Sequence, residues 1–173
     1  MALLESSLDS PALLPPTQAY PWHSAPLDPE RLRRYLASCE AKGIGYQLGA
    51  KANDLLAIPP DYAEIDCSGW VRAAVAVATD GRLILPDGSV HQNDWCEGHD
   101  LKRSTFAACH LRDGLTRICF VRPSAQHWIG HVYLVHQSRT LESWSGHGPG
   151  SRSILSHILS AEMTEVYVLA VRL

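Results

Sequence analysis

The chain reads as an α+β domain, with helices in its first half and an antiparallel sheet in its second. Apolar residues recur at helical spacing up to about residue 80, and β-rich runs take over after about residue 115. Connections as short as Gln137-Ser138-Arg139 make the neighbouring strands antiparallel. Helices first and strands second is the order of an α+β chain rather than of alternating βαβ units. No internal repeat interrupts it.

The first 27 residues are proline-rich and aperiodic, and read as an arm laid over the domain formed by residues 28–173. Asp28-Pro29-Glu30 then supplies a helix N-cap, a proline at the first helical position and an acidic first turn. Leu32, Tyr35, Leu36 and Cys39 follow on one stripe, and Gly43 ends the helix. Residues 44–53 form a glycine-punctuated turn, and the stretch through Pro59-Pro60 is a loop leading to Cys67. From Cys67 to Thr79 the residues are apolar nearly all round, which predicts a buried central helix stopped by Asp80-Gly81. The stretch from His91 to His99 reads as a loop. Strands are expected at 115–122, 128–136, 140–144 and 164–173, with a short helix at 153–160.

Composition sets the outer bounds. At 173 residues the chain buries a full core without crosslinks, and 46% apolar with 19% charged residues fits a globular domain. A formal charge of −3 gives no general attraction to nucleic acid or anionic lipid, and no apolar run reaches the length of a membrane span. The opening "MALLESSLDSPALLPP" has no basic n-region and so does not resemble a secretory signal. The expectation is a cytoplasmic protein, or one exported by a route that uses no cleavable signal. The five cysteines are odd in number and follow no disulfide-rich spacing, so all five are expected as thiols.

Cys67 carries the chemistry. It stands where a polar turn becomes a helix, in "EIDCSGWV". Unpaired N–H groups and the positive end of the helix dipole favour thiolate over thiol there, and the same N–H groups suit an oxyanion. The missing part is a base. His131, in "GHVYLV", sits mid-strand on a rigid mount and shares a face with Ile129, Tyr133 and Val135 by alternation. A third group should orient its imidazole; the next strand offers Glu142 and Ser143, and the loop after it offers His147. His91, Asp94, Cys96 and His99 lie within nine residues, but their spacing matches no common zinc pattern, so no metal is expected.

Four stretches together resemble the NlpC/P60 family of papain-like peptidoglycan peptidases. "DCSGWV" is similar to the nucleophile motif of that family. "YQLGA" (Tyr46 to Ala50) resembles its Tyr-x-x-Gly-Gly, with alanine replacing the second glycine. "LPDGSVHQ" resembles its Leu-Pro-x-x-Ser-x-x-Gln, and "GHVYLV" the strand that carries its base. They occur in the family's order across roughly residues 44–147.

The resemblance implies a papain-like fold, with the nucleophile helix packed on an antiparallel sheet. It implies that Cys67 is the nucleophile and His131 the base, with Tyr46 near the oxyanion site. Asp66 and Ser68 match positions lining the substrate groove. The third catalytic position departs from the family, where histidine is common; Glu142 is favoured and His147 is the competitor, otherwise a groove residue. The implied activity is a cofactor-independent amidase or endopeptidase acting on peptidoglycan stem peptides. With no signal and no wall-binding repeat, the chain is similar to small amidase toxins exported by non-Sec systems into a rival's periplasm and neutralised there by an immunity protein. The alternative is an acyltransferase or deamidase that uses the same Cys-His pair on a protein or lipid.

Overall fold

The structure, a computed structural model, describes residues 27–123 and 130–169. The expected arm therefore lies outside the described residues except for Leu27, which is buried in the core. Ile129 and the start of the second expected strand lie outside them too.

Helix α1 (Pro29–Lys42) begins where Asp28 Oδ1 accepts from the N–H groups of Glu30 and Arg31 at 2.8 and 3.2 Å. It closes at Gly43, whose φ of 68° is the left-handed conformation that lets a helix end in a tight cap. Its stripe of Leu32, Tyr35, Leu36 and Cys39 is buried against helix α2 (Cys67–Ala78). All of α2 is buried except Arg72, whose Nε donates to the carbonyl of Leu85 at 2.9 Å. The alternation of alanine and valine explains how α2 fits: small residues let a helix sit between other layers without leaving voids.

The expected loop at 91–99 is a third helix, α3 (Ser89–Gly98). It starts at Gly88 without a side-chain cap and buries only Gln92 and Cys96, so it lacks the apolar stripe that betrays a helix in sequence. Its tether is polar instead. Gln92 Nε2 donates to the carbonyls of Ser68 and Pro86 at 2.9 and 3.1 Å, which ties α3 to the start of α2.

Six strands form one antiparallel sheet among the described residues: β1 (Arg103–Ser104), β2 (Thr116–Val121), β3 (His131–His136), β4 (Arg139–Trp144), β5 (Gly148–Gly150) and β6 (Thr164–Val168). Their order is β1-β6-β2-β3-β4-β5. One face, with Ile118, Phe120, Val132, Leu134 and Leu141, packs on α1 and α2. On the other, Cys119, Tyr133, Val135 and Val166 pack against Cys109 and Ile154. Ile154 opens a 3₁₀ segment (Ile154–Met163) where a short helix was expected. The sheet is thus covered on both sides, and β3, which carries His131, lies near its middle.

Candidate active site

The nucleophile turn is built around Asp66. As N-cap of α2, its Oδ1 accepts from Gly69 N–H at 2.7 Å and from Ser68 Oγ at 3.0 Å. Its Oδ2 accepts from Gly49 N–H at 3.0 Å and from the Lys51 ammonium. Lys51 also donates to Ser68 Oγ at 2.8 Å. Asp66 and Ser68 are each 4% exposed and committed to these bonds. They shape the turn rather than face the groove, which differs from the groove-lining positions that the resemblance implied. A carboxylate in a closed turn is better satisfied by backbone N–H groups and a cation than left for a ligand.

Gly69 completes the turn. A side chain there would come within 2.9 Å of the Ala50 carbonyl, so glycine is what lets the loop carrying Tyr46 lie against the helix start. Gly148 does the same from the other side: a Cβ on it would meet the Ile44 carbonyl at 2.1 Å. The 44–51 loop is thus packed closely against both glycines. Tyr46 is half-buried there, and burial, together with the charges of Cys67 and Asp66, pushes its phenol up to about 12. Its hydroxyl remains a hydrogen-bond donor at any physiological pH.

Cys67 is the first residue of α2 and is buried, 5% exposed, rather than open as its place at a helix start suggests. The first backbone bond into the helix runs from Trp70 N–H to the Asp66 carbonyl at 3.0 Å, so the N–H groups of Cys67 and Ser68 precede it. Ser143 Oγ on β4 donates to the Ile65 carbonyl at 2.9 Å and latches the sheet to this turn.

His131 opens β3, hydrogen-bonds with Glu142 and interacts electrostatically with Cys67. Its Nε2 lies 2.7 Å from Glu142 Oε2, so Nδ1 is the nitrogen left for the sulfur. Burial disfavours the charged ring, but the interactions with Cys67 and Glu142 outweigh it and push His131 up to about 9. His147, the other candidate for the third position, is exposed and stacks on Trp144 at 4.2 Å. Its Nδ1 lies 3.4 Å from the Gly148 carbonyl. The structure brings Glu142, not His147, to the imidazole.

Glu142 is fully buried and does not stand alone. Arg152 donates through Nε to Oε1 at 2.8 Å and through Nη2 to Oε2 at 3.1 Å. His157 Nε2 lies 3.1 and 3.2 Å from the two oxygens. Burial alone would raise the carboxyl, but His131, His157 and Arg152 hold it well below the usual carboxylate range. Arg152 and His157 were not singled out in the sequence. The first follows a Gly-Pro-Gly strand, and the second sits in a 3₁₀ segment whose place depends on long-range register.

A cleft of about 380 Å³ beside the pair is lined by Tyr46, Leu48, Gly130, His131, Trp144 and Ser145. A larger one of about 440 Å³, lined by Arg31, Arg34, Leu56, Ile58, Val77 and Asp80, contains no cysteine or histidine; chemistry favours the first. As a metal site, His131, Glu142 and His157 bring ligand atoms within 4.8 Å of one another. The Arg152 guanidinium already grips both carboxylate oxygens, so the place of a cation is taken by the protein's own charge.

No family model and no curated protein matches the chain. Solved structures do. A protein described as similar to a lipoprotein of the NLP/P60 family, from Staphylococcus aureus, superposes with a TM-score of 0.50 at 15% identity, over 86% of this chain and 45% of that one. RipB, a peptidoglycan hydrolase of Mycobacterium tuberculosis, matches with a TM-score of 0.50 at 17% identity, over 96% of this chain and 75% of its own. The chain has an NlpC/P60-like fold. The expected architecture, a central helix opened by Cys67 and packed on an antiparallel sheet, is the one seen. Within this NlpC/P60-like fold the chain spans 45% of the length of the staphylococcal protein. Among its described residues, no helix is long and apolar enough to cross a membrane.

Proposed function

We propose that this chain is a cysteine amidase or endopeptidase that cuts peptide stems of bacterial peptidoglycan. The observation that carries the proposal is an imidazole that interacts with Cys67 at the start of α2 and is hydrogen-bonded to a buried, ionised Glu142. The likeness to a peptidoglycan hydrolase supports the choice of substrate.

In this reading the Cys67 thiolate attacks the amide carbonyl. The oxyanion forms beside the N–H groups that precede the first helical bond, with the Tyr46 hydroxyl near by. His131 Nδ1 gives its proton to the leaving amine, then takes one from water that hydrolyses the thioester. Glu142 holds the tautomer and stabilises the imidazolium, as a carboxylate does in a catalytic triad.

Mass spectrometry of muropeptides after incubation with the purified protein tests activity and bond choice together. New stem fragments are expected with wild type and none with Cys67→Ala. The further reading, an exported antibacterial toxin with an immunity partner, rests on the sequence alone and is tested in cells. Directed to the periplasm of a Gram-negative host, the protein should cause rounding and lysis that Cys67→Ala removes. Toxicity confined to the cytoplasm would favour an acyltransferase or deamidase acting on an intracellular protein or lipid.

A further inference from the structure

The carboxylate behind the base has more partners than orientation of one imidazole requires. Glu142 receives His131 from β3, Arg152 from the segment after β5, and His157 from the 3₁₀ segment. The Arg152 guanidinium is itself held in place, with Cζ 4.5 Å above the Trp144 ring, and Trp144 lines the cleft. The His157 ring stacks on Tyr133 at 4.2 Å and lies nearly parallel to His131 at 5.9 Å. Two arms of different chemistry thus converge on one buried anion from outside the β3–β4 pair.

We propose that Arg152 and His157 are positioning residues for the hydrolysis: they keep Glu142 ionised and in one orientation, so that it fixes His131 with Nδ1 toward Cys67. The proposal rests on the cysteine-hydrolase reading above. Its physical basis is the cost of burying a charge. A fully buried carboxylate facing only a neutral imidazole would take up a proton and cease to support an imidazolium. A bidentate guanidinium removes that option and also fixes the carboxylate plane. His157, whose Nε2 reaches both oxygens, closes the remaining approach. The groups facing Glu142 and His131 are then Arg152, His157, Cys67 and the Tyr133 phenol, which burial keeps uncharged by pushing it far up.

The test compares wild type with Arg152→Gln, Arg152→Lys and His157→Gln in the full chain. One readout is kcat and KM on muropeptides across pH. The other is the rate of Cys67 alkylation by iodoacetamide across pH, which needs no substrate. Arg152→Gln should lower kcat at neutral pH by about tenfold or more, the scale on which loss of an orienting partner acts, with KM changed less than about twofold. The acid limb of its alkylation profile should move to higher pH, because Glu142 then protonates more readily. Arg152→Lys should restore part of both effects, and His157→Gln should shift the limb the same way by less. Variants that melt like wild type but keep its kcat and its alkylation profile overturn the proposal. If Arg152→Gln does not fold, Arg152→Lys and His157→Gln decide the matter by the same two readouts. If wild type leaves muropeptides intact, the substrate reading fails alone, and the alkylation profiles still decide the role of Arg152.

Discussion

Two buried carboxylates flank the site, and they are satisfied in different ways. Asp66, 4% exposed, is held by two backbone N–H groups, a serine hydroxyl and Lys51, all within 17 residues of it. Glu142 is held by three side chains that arrive from three separate segments. The first is a piece of local architecture: it shapes a turn and caps a helix. The second is an electrostatic device whose charge passes directly to the base. Burial at one site therefore serves geometry, and at the other serves protonation.

The contrast can be broken most severely at the sulfur both carboxylates serve. Cys67→Ala should abolish turnover, measured as release of new amines from muropeptides, while circular dichroism remains that of the folded protein. Glu142→Gln comes next, with kcat expected to fall by between about 10²- and 10⁴-fold, since exchange of a triad carboxylate for an amide costs about 10⁴-fold where it has been measured.

The pH dependence sharpens the difference. His131 needs its proton to expel the amine, so activity should fall as pH rises through about 9. In Glu142→Gln that limb should move to lower pH, because one of the two groups that raise His131 is gone while Cys67 remains. Stability follows the same groups with opposite signs. His131 is raised in the fold, so its contribution is complete below about 6.5 and lost as pH climbs through about 9. Glu142 is lowered, so its contribution is present above the ordinary value of 4.5 and lost as pH falls below it. Thermal melts of wild type and Glu142→Gln from pH 3 to 10 should show both limbs flattened in the variant.

Asp66→Ala should act mainly on stability, lowering it by about 1–2 kcal/mol through the lost cap, as read from urea unfolding. Its surviving folded fraction should still alkylate at Cys67. His147→Ala should change kcat least, by about twofold or less, because the ring is exposed and lies outside the bonds to His131. A loss as large as that of Glu142→Gln would hand the orienting role to His147.

The same contrast explains what could be read in the chain beforehand. Cys67 is legible because it stands where a polar turn opens an apolar helix, whereas the capping role of Asp66 and the close approach at Gly69 emerge only in the fold. The α1 and α2 stripes are legible because their periodicity is apolar. Helix α3 escapes a sequence reading because its anchors are one glutamine and one cysteine. Strand β5 escapes it because Gly-Pro-Gly carries no β-propensity and pairs only through its register with Glu142, Ser143 and Trp144. Arg152 rides on that strand's exit and His157 on the 3₁₀ segment, so their convergence on Glu142 depends on contacts that no local pattern encodes.

The bond from Ser143 to the Ile65 carbonyl has a further consequence. Cys67 and His131 belong to two structural halves, the helical one ending with α3 and the sheet one beginning with β1, and this bond is one of the seams between them. Neither half contains a working pair. A chain divided between α3 and β1 should give two inert fragments, and mixing them should restore alkylation at Cys67 only to the extent that they reassociate. The Cys67–His131 site is thus a complementation reporter for the fold that assembles it.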